Sequence, residues 1–225
     1  MIQKFPLIKS PRIKESLSIH SRTDATQSTG MSITGKFILV TGYFGAGKSS
    51  LVNAAIKNIK NLMYLKTIIT RPMRKEERGS EEYIFATVNK YNSLRKKSKA
   101  WDHSEIAGNY YGADIEKWNV ILSQGKNLIC CIAPDISVIN QMSALYKVRP
   151  LLVWIETELS IANKRLMRSG LAGRAARSNH HLQTEKNARK IKSKVNYIFT
   201  PQGNLKKDSV YFTEFVNGLL NTPAV

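Results

Sequence analysis

The feature that most constrains the fold of this chain is an octapeptide of the form G-x-x-x-x-G-K-[ST], set between a predicted strand and a predicted helix. It consists of Gly42-Tyr43-Phe44-Gly45-Ala46-Gly47-Lys48-Ser49. An apolar run over 37–40 comes directly before it, and apolar residues recur at helical spacing from Leu51 to Ile59. This context predicts a phosphate-binding loop that joins a buried strand to a helix.

The residue types of this loop are suited to a polyphosphate. Glycines allow backbone N–H groups to close around phosphate oxygens, and the start of a helix adds partial positive charge. We expect Lys48 to reach the β- and γ-phosphates as a catalytic residue and the Ser49 hydroxyl to bind Mg²⁺. The predicted ATP-binding residues are Gly42, Tyr43, Phe44, Gly45, Ala46, Gly47, Lys48, Ser49 and Ser50.

The charge of the chain is strongly positive, with a formal net value of +19 at pH 7. Such a charge favours polyanions: nucleotides first, with nucleic acid or an acidic surface as further candidates. Between Ser160 and Lys207 there are twelve Lys or Arg residues and a single acid, Glu185. A solvated basic surface that aids solubility explains the same composition, and the sequence does not decide between the two.

The cysteines and the apolar runs indicate the compartment. Cys130 and Cys131 are adjacent and have no partner at C-x-x-C spacing, which indicates free thiols rather than a disulfide or a zinc site. No stretch approaches eighteen consecutive apolar residues, so we expect no transmembrane helix. Free thiols indicate a reducing compartment, and we expect a cytoplasmic protein. Residues 1–30 lack periodicity and predict a disordered basic extension, which a tail, a targeting segment or an alternative start would all explain.

Strands alternate with helices along the rest of the chain, and this pattern predicts a parallel α/β sheet. One strand is predicted over Met63–Thr70, followed by a charged loop from Arg71. The stretch Gly108–Gly112 is predicted to be a turn with two exposed aromatic residues. The other predicted elements are strands over 83–85, 128–132, 150–155 and 197–200, helices over 88–99, 114–124, 136–146, 158–168 and 209–220, and a Lys-rich helix that ends near Val195.

Several short motifs, in this order, resemble those of the guanylate kinase family. Thr70-Arg71-Pro72-Met73-Arg74 is similar to the family's T-R-x-P-R loop, with the proline displaced by one place. Glu77 stands at its glutamate position, Tyr83-Ile84-Phe85 at its Y-x-F, and Asp102 where it carries a carboxylate. Gly108-Asn109-Tyr110-Tyr111-Gly112 matches its G-N-Y-Y-G. The resemblance covers about residues 35–220 and is clearest from 35 to 112.

The resemblance implies a fold and an activity. The fold would be that of a P-loop NTPase, a five-stranded parallel sheet flanked by helices, with an inserted monophosphate-binding subdomain and a basic lid. The activity would be transfer of the γ-phosphoryl group of ATP to GMP, with Mg²⁺ as cofactor. The implied domain runs over 31–222, with its core at 35–70 and 113–222, its acceptor-binding subdomain at 71–112 and its lid at about 165–189.

The resemblance also implies which residues bind the acceptor. These are Thr67, Arg71, Arg74, Glu77, Tyr83, Asp102 and Tyr111. Arginine forks and tyrosine hydroxyls suit a phosphate dianion, and the acceptor oxygens of Asp102 and Thr67 suit the N–H edge of guanine. Arg165 and Arg168 would be the catalytic lid cations, in a motif similar to the family's R-L-x-x-R-G with its second arginine one residue early. A further lid arginine could be Arg174, Arg177 or Arg189, and the sequence does not decide among them.

One departure from the family pattern concerns the third predicted core strand. The resemblance implies the motif D-I-D at the end of this strand, whereas this chain has Cys131-Ile132-Ala133, with Asp135 two residues farther on. Loss of these carboxylates predicts weaker selectivity for guanine unless Asp135 replaces them. A related kinase with another phosphorylated acceptor, or a non-catalytic binding module of the same fold, are the alternative hypotheses.

Overall fold

The computed structural model describes residues 33–74, 77–79, 81–106, 108–146, 148–168 and 187–222. The predicted extension over 1–30 and most of the predicted lid, residues 169–186, lie outside the described residues.

The described residues form nine strands and seven helices. The strands are β1 (Phe37–Thr41), β2 (Leu62–Tyr64), β3 (Thr67–Ile69), β4 (Tyr83–Phe85), β5 (Trp101–Ile106), β6 (Asn109–Asp114), β7 (Asn127–Cys131), β8 (Leu151–Ile155) and β9 (Tyr197–Phe199). The helices are α1 (Lys48–Asn58), α2 (Val88–Lys97), α3 (Ile115–Ser123), α4 (Ile136–Leu145), α5 (Leu159–Arg168), α6 (187–192) and α7 (Leu205–Asn221).

The main sheet contains five parallel strands in the order β2-β7-β1-β8-β9. All five residues of the central strand β1 are buried, as the continuous apolar run predicts for a strand covered on both faces. Helix α1 packs against α7 beside this sheet. The α/β fold with a five-stranded parallel sheet flanked by helices is therefore confirmed. No described helix is long and apolar enough to cross a lipid bilayer.

A second, mixed sheet has the order β4-β3-β6-β5 and begins earlier than the sequence pattern indicated. The single strand predicted over Met63–Thr70 is wrong, because β2 belongs to the main sheet and β3 to the second. The Leu65 N–H still donates to Ile129 O in the main sheet at 2.9 Å, while the Thr67 N–H donates to Glu82 O at 3.1 Å. The chain changes partners within two residues, and an unbroken β-propensity run carries no sign of such a change.

The predicted turn over Gly108–Gly112 is also wrong. Gly108, with φ of 73°, occupies the turn of a hairpin, and the residues after it form β6. Strand β6 pairs antiparallel with both β5 and β3, so its two tyrosines are half-buried rather than exposed. Pairing on both edges outweighs the turn preference of Gly and Asn.

An aromatic cluster fixes the hairpin to α2. The buried Tyr91 hydroxyl accepts a hydrogen bond from Trp101 Nε1 at 3.1 Å and donates to Tyr111 O at 2.9 Å. The Trp101 and Tyr91 side chains lie directly over Gly112. A Cβ atom at Gly112 would lie 2.4 Å from Trp101 Nε1 and 2.4 Å from the Tyr91 hydroxyl. Only glycine therefore allows this cluster to close over β6.

We predict that Gly112→Ala lowers the free energy of unfolding by about 2 kcal/mol, because the added methyl group must displace the hydrogen-bonded rings of the buried Tyr91 and the half-buried Trp101. Gly218→Ala is the matched control, since Gly218 lies in α7 with open space around it. That control should raise stability by up to about 1 kcal/mol. Urea denaturation of both variants measures the difference. Equal effects of the two substitutions would contradict the packing argument.

Candidate active site

The loop between β1 and α1 adopts a conformation that only glycine allows at some of its positions. Gly45, with φ of 81°, approaches α5 so closely that a Cβ atom there would lie 2.2 Å from Ala162 O. Gly47 caps the N-terminus of α1 in a left-handed conformation. The first N–H groups of α1 thus open toward the loop, as an anion site at a helix N-terminus requires.

Lys48 folds back over this loop. Its Nζ donates hydrogen bonds to Gly42 O at 2.8 Å and to Tyr43 O at 2.9 Å. Burial lowers the pKa of Lys48, while the nearby Cys131 and Glu82 act in the opposite direction. The loop carbonyls therefore hold the ammonium group where the sequence predicts a polyphosphate.

The environment of Ser49 tests whether Mg²⁺ fits this loop. The Ser49 hydroxyl lies close enough to the Cys131 thiol, at the end of β7, to lower the pKa of that thiol. Burial, followed by the charge of Glu82, raises the pKa of that thiol to about 12. A neutral thiol is a poor ligand for a hard cation, and the described residues contain no cluster of three His, Cys, Asp or Glu side chains able to hold a metal. Ser49 fits Mg²⁺ only as a single oxygen ligand, with nucleotide phosphates and waters as the others.

The two predicted lid arginines differ in position. Arg165 extends from α5 toward the loop, and its Nη1 lies 3.8 Å from the point that a Gly47 Cβ would occupy. Arg168 is the last residue of α5 and its side chain is exposed. Ser50, predicted to bind ATP, is likewise exposed on α1. Of the two arginines, Arg165 is therefore brought to the phosphate-binding loop.

A compact ion-pair network follows β3. Arg71 binds Glu77 through its two terminal guanidinium nitrogens, with Nη1 to Oε2 at 2.7 Å and Nη2 to Oε1 at 2.5 Å. The backbone N–H of Arg74 donates to Glu77 Oε2 at 2.8 Å, and its Nη1 lies 3.7 Å from Oε1. The Arg71 and Glu77 side chains are only 10% and 11% exposed. Glu77 thus holds two arginines side by side, with the Arg74 side chain 30% exposed.

Aromatic side chains complete the setting of Arg71. Its guanidinium carbon lies 5.4 Å from the Tyr83 ring centre and 5.7 Å from that of Phe85. Burial lowers the pKa of Arg71, but the hydrogen bonds and charge of Glu77, followed by those of Tyr111, outweigh it and raise that pKa. Burial also raises the pKa of Tyr83, so its hydroxyl remains a neutral donor. Two arginines and two tyrosines are therefore grouped in one place.

Both arginines keep one buried donor unused. Among the described residues, no hydrogen-bond acceptor reaches the buried Nε of Arg71 or the buried Nε of Arg74. Buried guanidinium donors without a partner are costly unless an acceptor binds them. The network is therefore suited to an anion with several oxygen atoms, such as a phosphate monoester.

The predicted base-recognition residues lie on β3 and β5. Thr67 is half-buried on β3, and Asp102 is half-buried on β5. Gln141 Nε2, from α4, donates to Asp102 Oδ1 at 2.5 Å. Burial raises the pKa of the Asp102 carboxyl, while hydrogen bonds from Gln141 and from the His103 N–H act in the opposite direction. Sequence reasoning missed Gln141, because no motif distinguishes it from any polar residue of a surface helix.

The departure at the end of β7 leaves no carboxylate in its place. Cys131 pairs with Val40 in the parallel register of β7 and β1, and its N–H donates to the Tyr64 hydroxyl at 3.2 Å. Asp135, the possible substitute, caps α4 instead, because its Oδ1 accepts from the Ser137 N–H at 2.8 Å and from the Ser137 hydroxyl at 2.6 Å. Sequence reasoning also missed Glu82, whose charge acts on Lys48 and Cys131 and which stands directly before the Y-x-F motif.

We predict that Glu77→Gln lowers the free energy of unfolding at pH 7 by on the order of 2 kcal/mol, since two arginines lose their charged partner. Burial raises the pKa of Glu77, but the Arg71 hydrogen bond and the other contacts outweigh it and lower that pKa. The stabilisation is therefore present above about pH 4.3, the unfolded value, and is lost as the pH falls through the lower folded value.

Urea denaturation of wild type and Glu77→Gln at pH 7, 5 and 3 measures this dependence. Glu116→Gln is the control, because its pair with Lys99 spans 3.7 Å on side chains that are 49% and 85% exposed. The control should cost less than about 1 kcal/mol at every pH. A Glu77→Gln deficit that stays constant down to pH 3 would contradict the role of the charge.

Comparisons with known proteins agree with this geometry. The sequence model of the family described as guanylate kinase matches residues 34–202. The chain is 31% identical over 96 residues to a guanylate kinase of Malacoplasma penetrans, covering 42% of this chain and 49% of that protein. It is 34% identical over 84 residues to a guanylate kinase of Nostoc sp., covering 37% of this chain and 42% of that protein. The chain thus spans about half the length of the curated relatives it matches.

The fold is similar to that of a solved guanylate kinase. The crystal structure of guanylate kinase from Anaplasma phagocytophilum matches with a TM-score of 0.58 and 14% sequence identity, over 86% of this chain and 90% of that one. At this identity the likeness shows the fold alone. The family match, by contrast, extends over most of the sequence and includes the phosphate-binding loop, the arginine network and the G-N-Y-Y-G strand. The chain therefore belongs to the guanylate kinase family.

Proposed function

We propose that this chain is an ATP-dependent nucleoside monophosphate kinase that transfers the γ-phosphoryl group of ATP to GMP. The observation that carries the proposal is the pair of arginines whose buried Nε atoms lack an acceptor among the described residues, in a fold that also presents Lys48 over a phosphate-binding loop. One group suits a monophosphate and the other a polyphosphate. Membership of the guanylate kinase family supports the same pairing of substrates.

The donor would be held by α1 and its loop. The N–H groups at the start of α1 and Lys48 bind the β- and γ-phosphates in this proposal, and Arg165 adds a second cation from α5. Arg168 and the rest of the basic lid are assigned to the donor by the family resemblance. Bound Mg²⁺, with Ser49 as a ligand, would neutralise charge on the phosphates.

The acceptor would be held by the second sheet. Arg71, Arg74, Tyr83 and Tyr111 bind its phosphate in this proposal, aligned by Glu77. Asp102 and Thr67 accept hydrogen bonds from the base. The attacking atom is a phosphate oxygen that is already ionised, so the chain supplies alignment and positive charge rather than a proton acceptor.

We predict that Lys48→Ala reduces kcat by about a hundredfold or more with the fold retained, because a preorganised charge on the transferring group is lost. Lys57→Ala, at an exposed position in the last turn of the same helix, is the control and should leave kcat unchanged. A coupled ADP-release assay with ATP and a panel of nucleoside monophosphates and sugar phosphates measures both. Undiminished turnover in Lys48→Ala, or no turnover of any acceptor by the wild type, would contradict the proposal.

The acceptor could differ from GMP, and the end of β7 is the reason. Cys131 is a neutral thiol and Ala133 has no acceptor side chain, so the base loses hydrogen-bond partners that the family's aspartates would supply. An unmade buried hydrogen bond costs on the order of 1–3 kcal/mol. A second candidate function is therefore a kinase of the same kind that accepts another phosphorylated molecule.

We predict selectivity for GMP over AMP of less than about 10⁴-fold, with Ala133→Asp restoring part of it by providing the missing acceptor. The measurement is kcat/KM for GMP, IMP and AMP in both proteins. Ala144→Asp, at an exposed position of α4, controls for added negative charge. Selectivity above that level in the wild type, with no gain in Ala133→Asp, would show that the remaining acceptors suffice.

A further inference from the structure

Helix α4 contacts strand β5 of the second sheet on the base-recognition side of the site. Gln141 Nε2 donates to Asp102 Oδ1 at 2.5 Å and lies 3.4 Å from His103 O. One amide group from the main domain thus spans two consecutive residues of the second sheet. It reaches the carboxylate that the proposed function assigns to the base.

Gln141 stands close to the departure from the family pattern. Helix α4 begins at Ile136, capped by Asp135, only three residues after Ala133. Its first residues follow shortly after the region from which two carboxylates are missing, and its buried face anchors it through Ile139 and Met142. Gln141 therefore projects toward β5 from a helix that the core holds in place.

We infer that Gln141 is a positioning residue that holds the Asp102 carboxylate in one orientation toward the N–H edge of the acceptor's base. This inference rests on the proposed function. A carboxylate on a strand has several rotamers, and fixing one Oδ atom leaves the other oriented to accept from a ligand. With a neutral thiol at Cys131 and no acceptor side chain at Ala133, this oriented carboxylate carries more of the selectivity for a base with an N1–H.

Three titratable groups around Asp102 stay neutral at acidic pH, so the titration of the Asp102 carboxyl group can be measured there. The groups whose charges interact with it are Tyr91 from α2, Cys130 from β7 and Tyr146 after α4, and burial raises the pKa of all three. They remain neutral through the acidic range. His103, beside Asp102 on β5, has its pKa lowered by burial and then by the charge of Arg95. Because a lowered pKa brings the His103 titration toward that of a carboxyl group, the carboxyl carbon of Asp102 must be observed directly.

The experiment compares Gln141→Met, which keeps side-chain length without the donor, with Asn140→Met at the exposed neighbouring position of α4. We expect Gln141→Met to raise the KM for GMP by on the order of tenfold with kcat within about twofold, and to reduce the preference for GMP over AMP to a similar extent. The acid limb of kcat/KM should move to higher pH, because the hydrogen bond that lowers the Asp102 pKa is lost. Asn140→Met should change none of these.

Two further measurements separate positioning from general damage. In an Asp102→Asn background, Gln141→Met should have little additional effect on KM, since it acts through a carboxylate that is no longer present. Carbon-detected NMR of ¹³C-aspartate-labelled full-length protein should show the Asp102 carboxyl titrating at higher pH in Gln141→Met, without any substrate.

An unchanged KM and acid limb in a folded Gln141→Met protein would overturn the inference, as would a full effect in the Asp102→Asn background. The NMR titration separates this failure from failure of the proposed function. If the wild type phosphorylates no monophosphate but the Asp102 titration still shifts, the contact stands as a structural one and its role in base recognition is refuted. An Asp102 titration that does not move refutes the contact itself.

Discussion

The parallel register of β1 with its two neighbours determines where every part of the site lies. Val40 pairs with Cys131 on β7, and Thr41 pairs with Trp154 on β8. The carboxyl ends of these strands meet at one edge of the sheet, where ligands of open α/β sheets bind. The phosphate-binding loop leaves β1 at that edge, which brings Cys131 close to Ser49. A change of residue at the end of β7 therefore acts directly on the site, although it is more than eighty positions away in the sequence.

The acceptor side depends on charge rather than on the strand register. Positive groups face the proposed substrate from Arg71, Arg74 and Lys48, and they would repel one another without a local counter-charge. Glu77 provides it for the arginines, and Glu82 acts on Lys48 from the start of β4. The site thus remains organised while retaining a net attraction for phosphate. This balance is local and does not require the large positive charge of the whole chain.

The sequence predicted the features that depend on local pattern. The phosphate-binding loop, the buried strands and most helix boundaries follow from apolar periodicity and from residues such as Gly42 and Gly47 that permit special turns. Features that depend on which strands pair were not predictable in this way. The division between β2 and β3 and the extended form of Tyr110-Tyr111 are both decided by partners distant in the sequence. The contact of Gln141 with Asp102 is of the same kind, because it joins residues 39 positions apart.

The short link between β2 and β3 limits how the two sheets can move. Leu65 is fixed by its hydrogen bond to Ile129 in the main sheet, and Thr67 by its bond to Glu82 in the second, so Lys66 alone lies between two anchored neighbours. The chain returns as abruptly, since β6 ends at Asp114 and α3 begins at Ile115. Any closing of one sheet over the other would have to turn about the line that joins these two crossings. The second sheet is thus held at two chain crossings and by the Gln141–Asp102 hydrogen bond, so a change in its angle to the main sheet would have to break that bond.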